Sequence, residues 1–174
     1  NVGIGKDSLL LNTTGSKNTA VGTDALNANT TASFNTAVGS DALGANTTGS
    51  QNTAVGKNAL ESVTTASYHT AVGYNALGAN TSGVGNTAFG HGQNALGANT
   101  TASNNAAFGN TTMASNTTGS NNTAFGSEAL FTNTTGTQNT AVGYSSNYSS
   151  TGTNNTSIGY NTVSSSSSVS NEIT

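Results

Sequence analysis

Asn52-Thr53-Ala54-Val55-Gly56 is one copy of a motif that returns in near-identical form along the whole chain. The ten copies end at Gly5, Gly22, Gly39, Gly56, Gly73, Gly90, Gly109, Gly126, Gly143 and Gly159. Successive glycines lie 17 residues apart, except for 19 between Gly90 and Gly109 and 16 between Gly143 and Gly159. A fixed period of this length, shorter than a helical hairpin repeat, predicts a solenoid with one coil for each repeat.

The composition is unusual for a globular domain of 174 residues, because only 5% of the residues are charged and 6% are aromatic. Such polarity is typical of disorder, but a disordered chain does not need the same small residue at the same phase in every repeat. The absence of cysteine excludes disulfides and thiolate metal sites. Three basic residues and a net charge of -3 leave no basic surface, so we expect no nucleic-acid partner. No apolar run is long enough to predict membrane insertion.

Two apolar columns emerge when positions are counted from the leading asparagine of each repeat, so that the first repeat has position 1 at Asn1. Position 4 holds Ile4, Val21, Val38, Val55, Val72, Phe89, Phe108, Phe125, Val142 and Ile158. Position 9 holds Leu9, Leu26, Leu43, Leu60, Leu77, Leu96, Met113, Leu130 and Val163. We expect both columns to be buried, with a short strand through position 4, a glycine corner at position 5 and Asp or Asn turn formers at position 7.

The rest of the repeat predicts a second extended segment through position 9 and a second turn near positions 15 and 16. The expected fold is an all-β solenoid, a parallel β-roll of ten coils over residues 1–163, with a serine-rich continuation over residues 164–174. Position 3 is always small and alternates with position 4 on the strand, which predicts close packing on a second face. Because the apolar side chains of one coil are too few to offset chain entropy, we expect several chains to associate there around an axis.

Three irregular stretches interrupt the repeat. His91-Gly92-Gln93-Asn94 carries two extra residues and is expected to bulge outward. One residue is missing near Tyr144 to Asn154, where Tyr148 is the predicted substitute for the position 9 leucine. Asn171-Glu172-Ile173-Thr174 is similar to the opening of an eleventh strand, which suggests a segment of a longer protein.

Two known families share the pattern. The core from Thr36 to Ala42 resembles the head repeats of YadA-type trimeric adhesins, which implies a left-handed parallel β-roll in a bundle of three chains. The longer consensus from Asn46 to Leu60 resembles repeats of phage tail-fibre and related surface proteins. In that family, a run such as Ser170 to Thr174 often leads into an intramolecular chaperone that trimerises the fibre, so this resemblance also implies a trimer.

Catalysis and metal binding are both weakly supported. Asp7, Asp24 and Asp41 recur at position 7, where turn formation explains them better than paired carboxylates or a calcium site does. His69 and His91 lie at different phases of the repeat, so a shared metal site is not expected. We therefore expect no enzyme activity, no metal and no cofactor.

The recurring Asn-x-Thr/Ser sequons begin at Asn12, Asn29, Asn46, Asn80, Asn99, Asn116 and Asn133, among others. They suit glycosylation only in a eukaryotic secretory setting and are better interpreted as ladder and turn residues. Regular threonines also make ice binding a hypothesis to consider. However, Thr13 and Thr14 are adjacent, and alternation would place them on opposite faces, which leaves single rather than paired threonine columns.

We expect a structural and adhesive segment of an extracellular attachment fibre, either a viral tail fibre or a cell-surface adhesin, that holds a receptor-binding tip away from the virion or cell surface. The receptor would be a glycan or a protein. Its candidate contacts are the irregular, aromatic positions Tyr74, His91, Gln93, Tyr144 and Tyr148. The alternatives are a monomeric ice- or glycan-binding solenoid and a self-assembling surface filament.

Overall fold

The computed structural model describes residues 1–90, 95–149, 151–165 and 168–174 and shows an all-β solenoid. Each coil contributes one strand of three residues to a single parallel sheet, in which the strands lie side by side in chain order. The strands are β1 Val2–Ile4, β2 Thr19–Val21, β3 Thr36–Val38, β4 Thr53–Val55, β5 Thr70–Val72, β6 Thr87–Phe89, β7 Ala106–Phe108, β8 Thr123–Phe125, β9 Thr140–Val142 and β10 Thr156–Ile158. This confirms the predicted fold class.

Equivalent positions of neighbouring coils lie directly beside each other. Thr36 pairs with Thr53, and the two-residue insertion before β7 leaves Phe89 paired with Phe108. Backbone hydrogen bonds continue around the turns, where the Leu43 N–H donates to the Ala59 carbonyl of the following coil at 3.0 Å. The backbone is therefore hydrogen-bonded from coil to coil around the perimeter, as buried peptide groups require.

The glycine corners follow from backbone conformation. Gly39 has a φ of 138°, and a Cβ added there would lie 2.5 Å from the Gly56 carbonyl oxygen. Only glycine satisfies both constraints without strain. Asp41 at position 7 has a φ of 58°, a left-handed value that Asp and Asn tolerate well, which supports its interpretation as a turn former.

The prediction of a second extended segment through position 9 is wrong. Positions 6 to 11 form consecutive turns, in which Leu43 adopts a φ of 51° and is fully buried. The predicted turn at positions 15 and 16 has its left-handed residue one place later, at position 17. Leucine is unfavourable in this conformation, so its propensity did not reveal the turn.

The orientation predicted for the strand is also wrong. Ala37 at position 3 is fully buried, whereas Val38 at position 4 is only half-buried and Phe125 is 52% exposed. The core consists of the small residues at positions 3 and 8 and the leucines at position 9, and of this predicted column Leu26, Leu43, Leu60 and Leu77 are completely buried. The interior is so narrow that alanine lies inside and the larger valine lies outside.

The ninth coil departs from this arrangement. Asn147, rather than Tyr148, is the buried residue at position 9, and it has the same left-handed backbone as the leucines, with a φ of 52°. Val163 of the last repeat is 53% exposed, so it does not extend the buried leucine column. Ile173 forms a parallel bridge with Thr156, as expected for the opening of an eleventh strand.

Candidate functional site

The outer surface of the parallel sheet, which we call the sheet face, is formed by the side chains at positions 2 and 4. Alternation along a strand places these two positions on the side opposite to the buried alanine. Position 4 gives the predicted valine and phenylalanine column: Val21, Val38, Val55, Val72, Phe89, Phe108, Phe125 and Val142. Position 2 gives a threonine column, in which Val2 occupies the first coil and Ala106 the seventh. Sequence reasoning missed the threonine column because it assigned the outer face to position 3.

Aromatic rings continue the apolar column across three strands. Phe89 and Phe108 stack with ring centroids 5.2 Å apart, and Phe108 and Phe125 stack at 4.5 Å. Phe89 and Phe125 remain 39% and 52% exposed, and Val142 follows at 39%. The sheet face therefore carries a continuous line of partly exposed apolar side chains.

The predicted receptor contacts do not form one site. Tyr74 and Tyr144 occupy the same outer column at position 6, but they lie four coils apart, roughly 19 Å at the strand spacing. Tyr144 stacks on Tyr160 at 5.5 Å, whereas half-buried Tyr148 stacks on Phe131 at 5.0 Å. The predicted contacts His91 and Gln93 lie outside the described residues.

His69 replaces a ladder asparagine in both function and position. The side chain is buried, and its Nδ1 accepts the Asn86 backbone N–H at 3.2 Å, as an asparagine Oδ1 does in other coils. The Gly83 backbone also hydrogen-bonds the ring. Desolvation by burial lowers the pKa of His69 to about 4. His69 is therefore a neutral structural residue at physiological pH.

Three of the six acidic residues, Asp24, Asp41 and Glu61, line an open cavity of about 350 Å³ at the position 7 corner, together with Asn27, Gly44 and Ala45. Asp24 accepts a hydrogen bond from Asn27, and Asp41 accepts one from Ser40 at 2.7 Å. Across the described part of the chain, no group of three or more His, Cys, Asp or Glu residues could hold a metal ion. The acids thus contribute to local turn structure.

The asparagines of the sequons form a ladder inside the solenoid. Asn29 donates from Nδ2 to Asn12 Oδ1 at 2.7 Å and to the Ala32 carbonyl at 3.2 Å, and Asn46 bonds to Asn29 in the same way. Asn29, Asn46, Asn80, Asn99, Asn116 and Asn133 have no exposed surface. For these position 12 asparagines, the hydrogen bonds from coil to coil confirm the ladder interpretation.

A second asparagine ladder runs through position 1. Asn35 donates from Nδ2 to the Gly49 carbonyl at 2.9 Å, while its Oδ1 accepts the Asn52 backbone N–H at 2.9 Å. Each amide therefore ties two neighbouring coils together, which explains why asparagine opens almost every repeat.

No protein-family model, curated protein or solved structure matches this chain. Among the described residues, no helix is long and apolar enough to cross a membrane.

Proposed function

We propose that this chain forms part of the shaft of an extracellular attachment fibre, in which three copies associate along their sheet faces. The observation that carries the proposal is the outward apolar column at position 4. A monomer would leave this column in contact with water, whereas a second copy would remove it from water.

The geometry of the sheet face suits association between copies. Ten strands at the usual spacing extend over roughly 45 Å, so the column is long and narrow. Equivalent residues repeat at a constant spacing, so a copy that fits one coil also fits the next. The strands carry no charged residue, which leaves no charge repulsion between apposed faces.

This architecture suits a shaft because length is added by repetition. Each further coil extends the backbone ladder and the two asparagine ladders by one level. It needs contact only with its neighbouring coils. Our proposal therefore assigns the segment a mechanical role, in which it holds a receptor-binding part away from the virion or cell surface and involves no catalysis.

The molar mass of the folded chain, measured by light scattering, tests the proposal. We expect the mass of three chains, and we expect the double variant Val38→Lys/Val55→Lys to be a folded monomer, because two charges on each sheet face would be desolvated in the assembly. The control Gln51→Lys adds a charge at an exposed position outside the sheet and should keep the trimer. A wild-type monomer, or a variant that remains trimeric, contradicts association through this face.

A second candidate, ice binding by a monomer, is favoured by the threonine column at position 2. From Thr19 to Thr87 the column is unbroken, and each threonine has an apolar neighbour two residues on. Thermal hysteresis of a monomeric wild-type chain that is lost in Thr53→Lys would favour ice binding over the fibre.

A further inference from the structure

Position 17, the last residue of each regular coil, has a left-handed backbone in every coil. Its residues are Lys17, Phe34, Gln51, Tyr68, Gly85, Asn104, Asn121, Gln138, Asn154 and Asn171, with φ between 56° and 69°. Glycine and asparagine, which tolerate this conformation best, fill half of these places. All of them except Gly85 are exposed.

Phe34 and Tyr68 are the exceptions to this local preference. Their φ values are 64° and 67°, which are unfavourable for bulky side chains. Leu43 has a similar strain, but its side chain is fully buried and packing offsets the cost. Phe34 is 53% exposed and Tyr68 is 60% exposed, so core packing does not explain these two aromatic residues.

The spacing of the two rings suits a chain-like ligand. Phe34 and Tyr68 are two coils apart, or roughly 9.5 Å at the strand spacing, which is close to the span of two linked pyranose rings. Both lie inside the stack, with a coil on either side. Gln51 lies between them and presents an exposed amide.

Polar groups flank the rings without adding negative charge. The Ser33 backbone N–H donates to Ser50 Oγ at 3.1 Å, and the Ser50 N–H donates to Ser67 Oγ at 2.9 Å, so these hydroxyl groups are held in a row. The Lys17 ammonium lies over one face of the Phe34 ring, 4.7 Å from its centroid, so a sugar must stack on the other face or displace this lysine side chain. Aromatic faces with hydroxyl and amide groups beside them match the mixed apolar and polar surface of a neutral sugar.

We propose that Phe34, Gln51 and Tyr68 form a binding site for a neutral oligosaccharide. The rings stack against the C–H faces of alternate pyranoses, and the Gln51 amide hydrogen-bonds to the hydroxyl groups of the sugar between them. This inference rests on the proposed function, since it supplies the fibre with a receptor glycan along its shaft.

The test uses cellotetraose, chitotetraose and maltotetraose as probes, with binding to the 174-residue chain measured by calorimetry and by ligand-observed NMR. We expect at least one probe to bind, and Phe34→Gln and Tyr68→Gln each to weaken it by about tenfold. Glutamine is chosen because Gln51 and Gln138 occupy this position in other coils. Tyr160→Gln is the matched control, since Tyr160 is 79% exposed but lies in another column. It should leave binding unchanged.

A second readout separates a binding role from a structural one. Tyr68→Gln should keep or raise the thermal midpoint while it weakens sugar binding, because glutamine relieves the strain of an exposed ring. The proposal is overturned if none of the three probes binds at millimolar concentration, if Tyr160→Gln weakens binding equally, or if Tyr68→Gln changes the molar mass. A wild-type chain that is monomeric and still binds the sugar would contradict the proposed shaft but not this site.

Discussion

The third coil, residues 35–51, and the ninth coil, described over residues 139–149 and 151–154, have equivalent strands and glycine corners but different interiors. Ala42 and Leu43 fill positions 8 and 9 of the third coil, whereas Ser146 and Asn147 fill them in the ninth. Ser146 Oγ donates to the Ser157 carbonyl at 2.9 Å, so hydroxyl groups replace part of the apolar core. Asn147 Nδ2 is buried and has no hydrogen-bond partner among the residues that the structure describes.

Both coils nevertheless keep the features that connect them to their neighbours. Their strands pair in register, their glycine corners have φ values of 138° and 128°, and the Oδ1 of each leading asparagine accepts the backbone N–H of the next coil's leading asparagine. The difference therefore indicates that backbone and asparagine ladders define the coil, while the leucine column adds stability to it. The following predictions test this division.

The largest loss of stability should come from the corner glycines and should be equal in the two coils. Gly39→Ala and Gly143→Ala should each cost about 4 kcal/mol of unfolding free energy, because alanine is strained at this φ and its Cβ would clash with the next glycine carbonyl. Urea unfolding measures the cost. Gly44→Ala, where the nearest heavy atom would be 3.3 Å away, is the control and should change stability little. A cost confined to the third coil would contradict the shared corner.

The next largest loss of stability, from substitutions at position 9, should differ between the coils. Leu43→Ala should cost about 3 kcal/mol through lost burial and the cavity that remains. Asn147→Ala should cost only about 1 kcal/mol, because it removes the Oδ1 that accepts the Ser164 hydroxyl at 2.6 Å but also a buried amide nitrogen that has no partner among the described residues. Leu10→Ala, at a side chain that is 60% exposed, is the control in the same denaturation experiment. Equal costs for Leu43 and Asn147 would show that position 9 does not distinguish the coils.

The position 1 ladder should make stability depend on pH at His69. Its pKa is about 4 in the folded chain and 6.5 when unfolded, so the unfolded state binds the extra proton first as the pH falls. The unfolding free energy should therefore drop by about 2 kcal/mol from pH 7 to pH 5 and level off below pH 4. His69→Asn, which restores the repeat residue, should remove this component. An unchanged pH profile in the variant would exclude His69 as its source.

The smallest effect concerns an interruption of the position 12 ladder. Val63 replaces an asparagine there, and within the described part of the chain the buried Oδ1 of Asn46, in the coil before, has no hydrogen-bond partner. The next amide, Asn80 Nδ2, lies 3.2 Å from His69 Nε2 instead. Val63→Asn should therefore be more favourable by about 1 kcal/mol in a His69→Asn background than alone, as a double-mutant cycle would measure. Strict additivity would show that the two substitutions are independent.

The period and the residue types were sufficient to predict the strands, their parallel register and the glycine corners. The direction of the strand side chains was not predictable in the same way, because alternation in Thr53-Ala54-Val55 allows either face to be inside. Hydrophobicity favoured Val55, but the narrow interior accepts only Ala54. Ala54 was the informative residue, but its buried position could be inferred only from the width of the solenoid interior, which the sequence does not show.

The candidate sites were harder to predict for a related reason. Tyr148 was selected as a core substitute because it is apolar, whereas Asn147 tolerates the left-handed backbone that this position requires. Phe34 and Tyr68 escaped notice because position 17 varies in sequence, and only its constant backbone conformation shows how unusual an aromatic residue is there.

The direction of the hydrogen bonds between coils has a mechanical consequence. These bonds run along the solenoid axis, so tension along that axis acts on one coil boundary at a time and would peel coils off singly from an end. A released coil of 17 residues lengthens from about 5 Å to roughly 55 Å. Under a sudden load, a fibre segment built in this way would lengthen one coil at a time. The coils that remain stacked would stay hydrogen-bonded to each other.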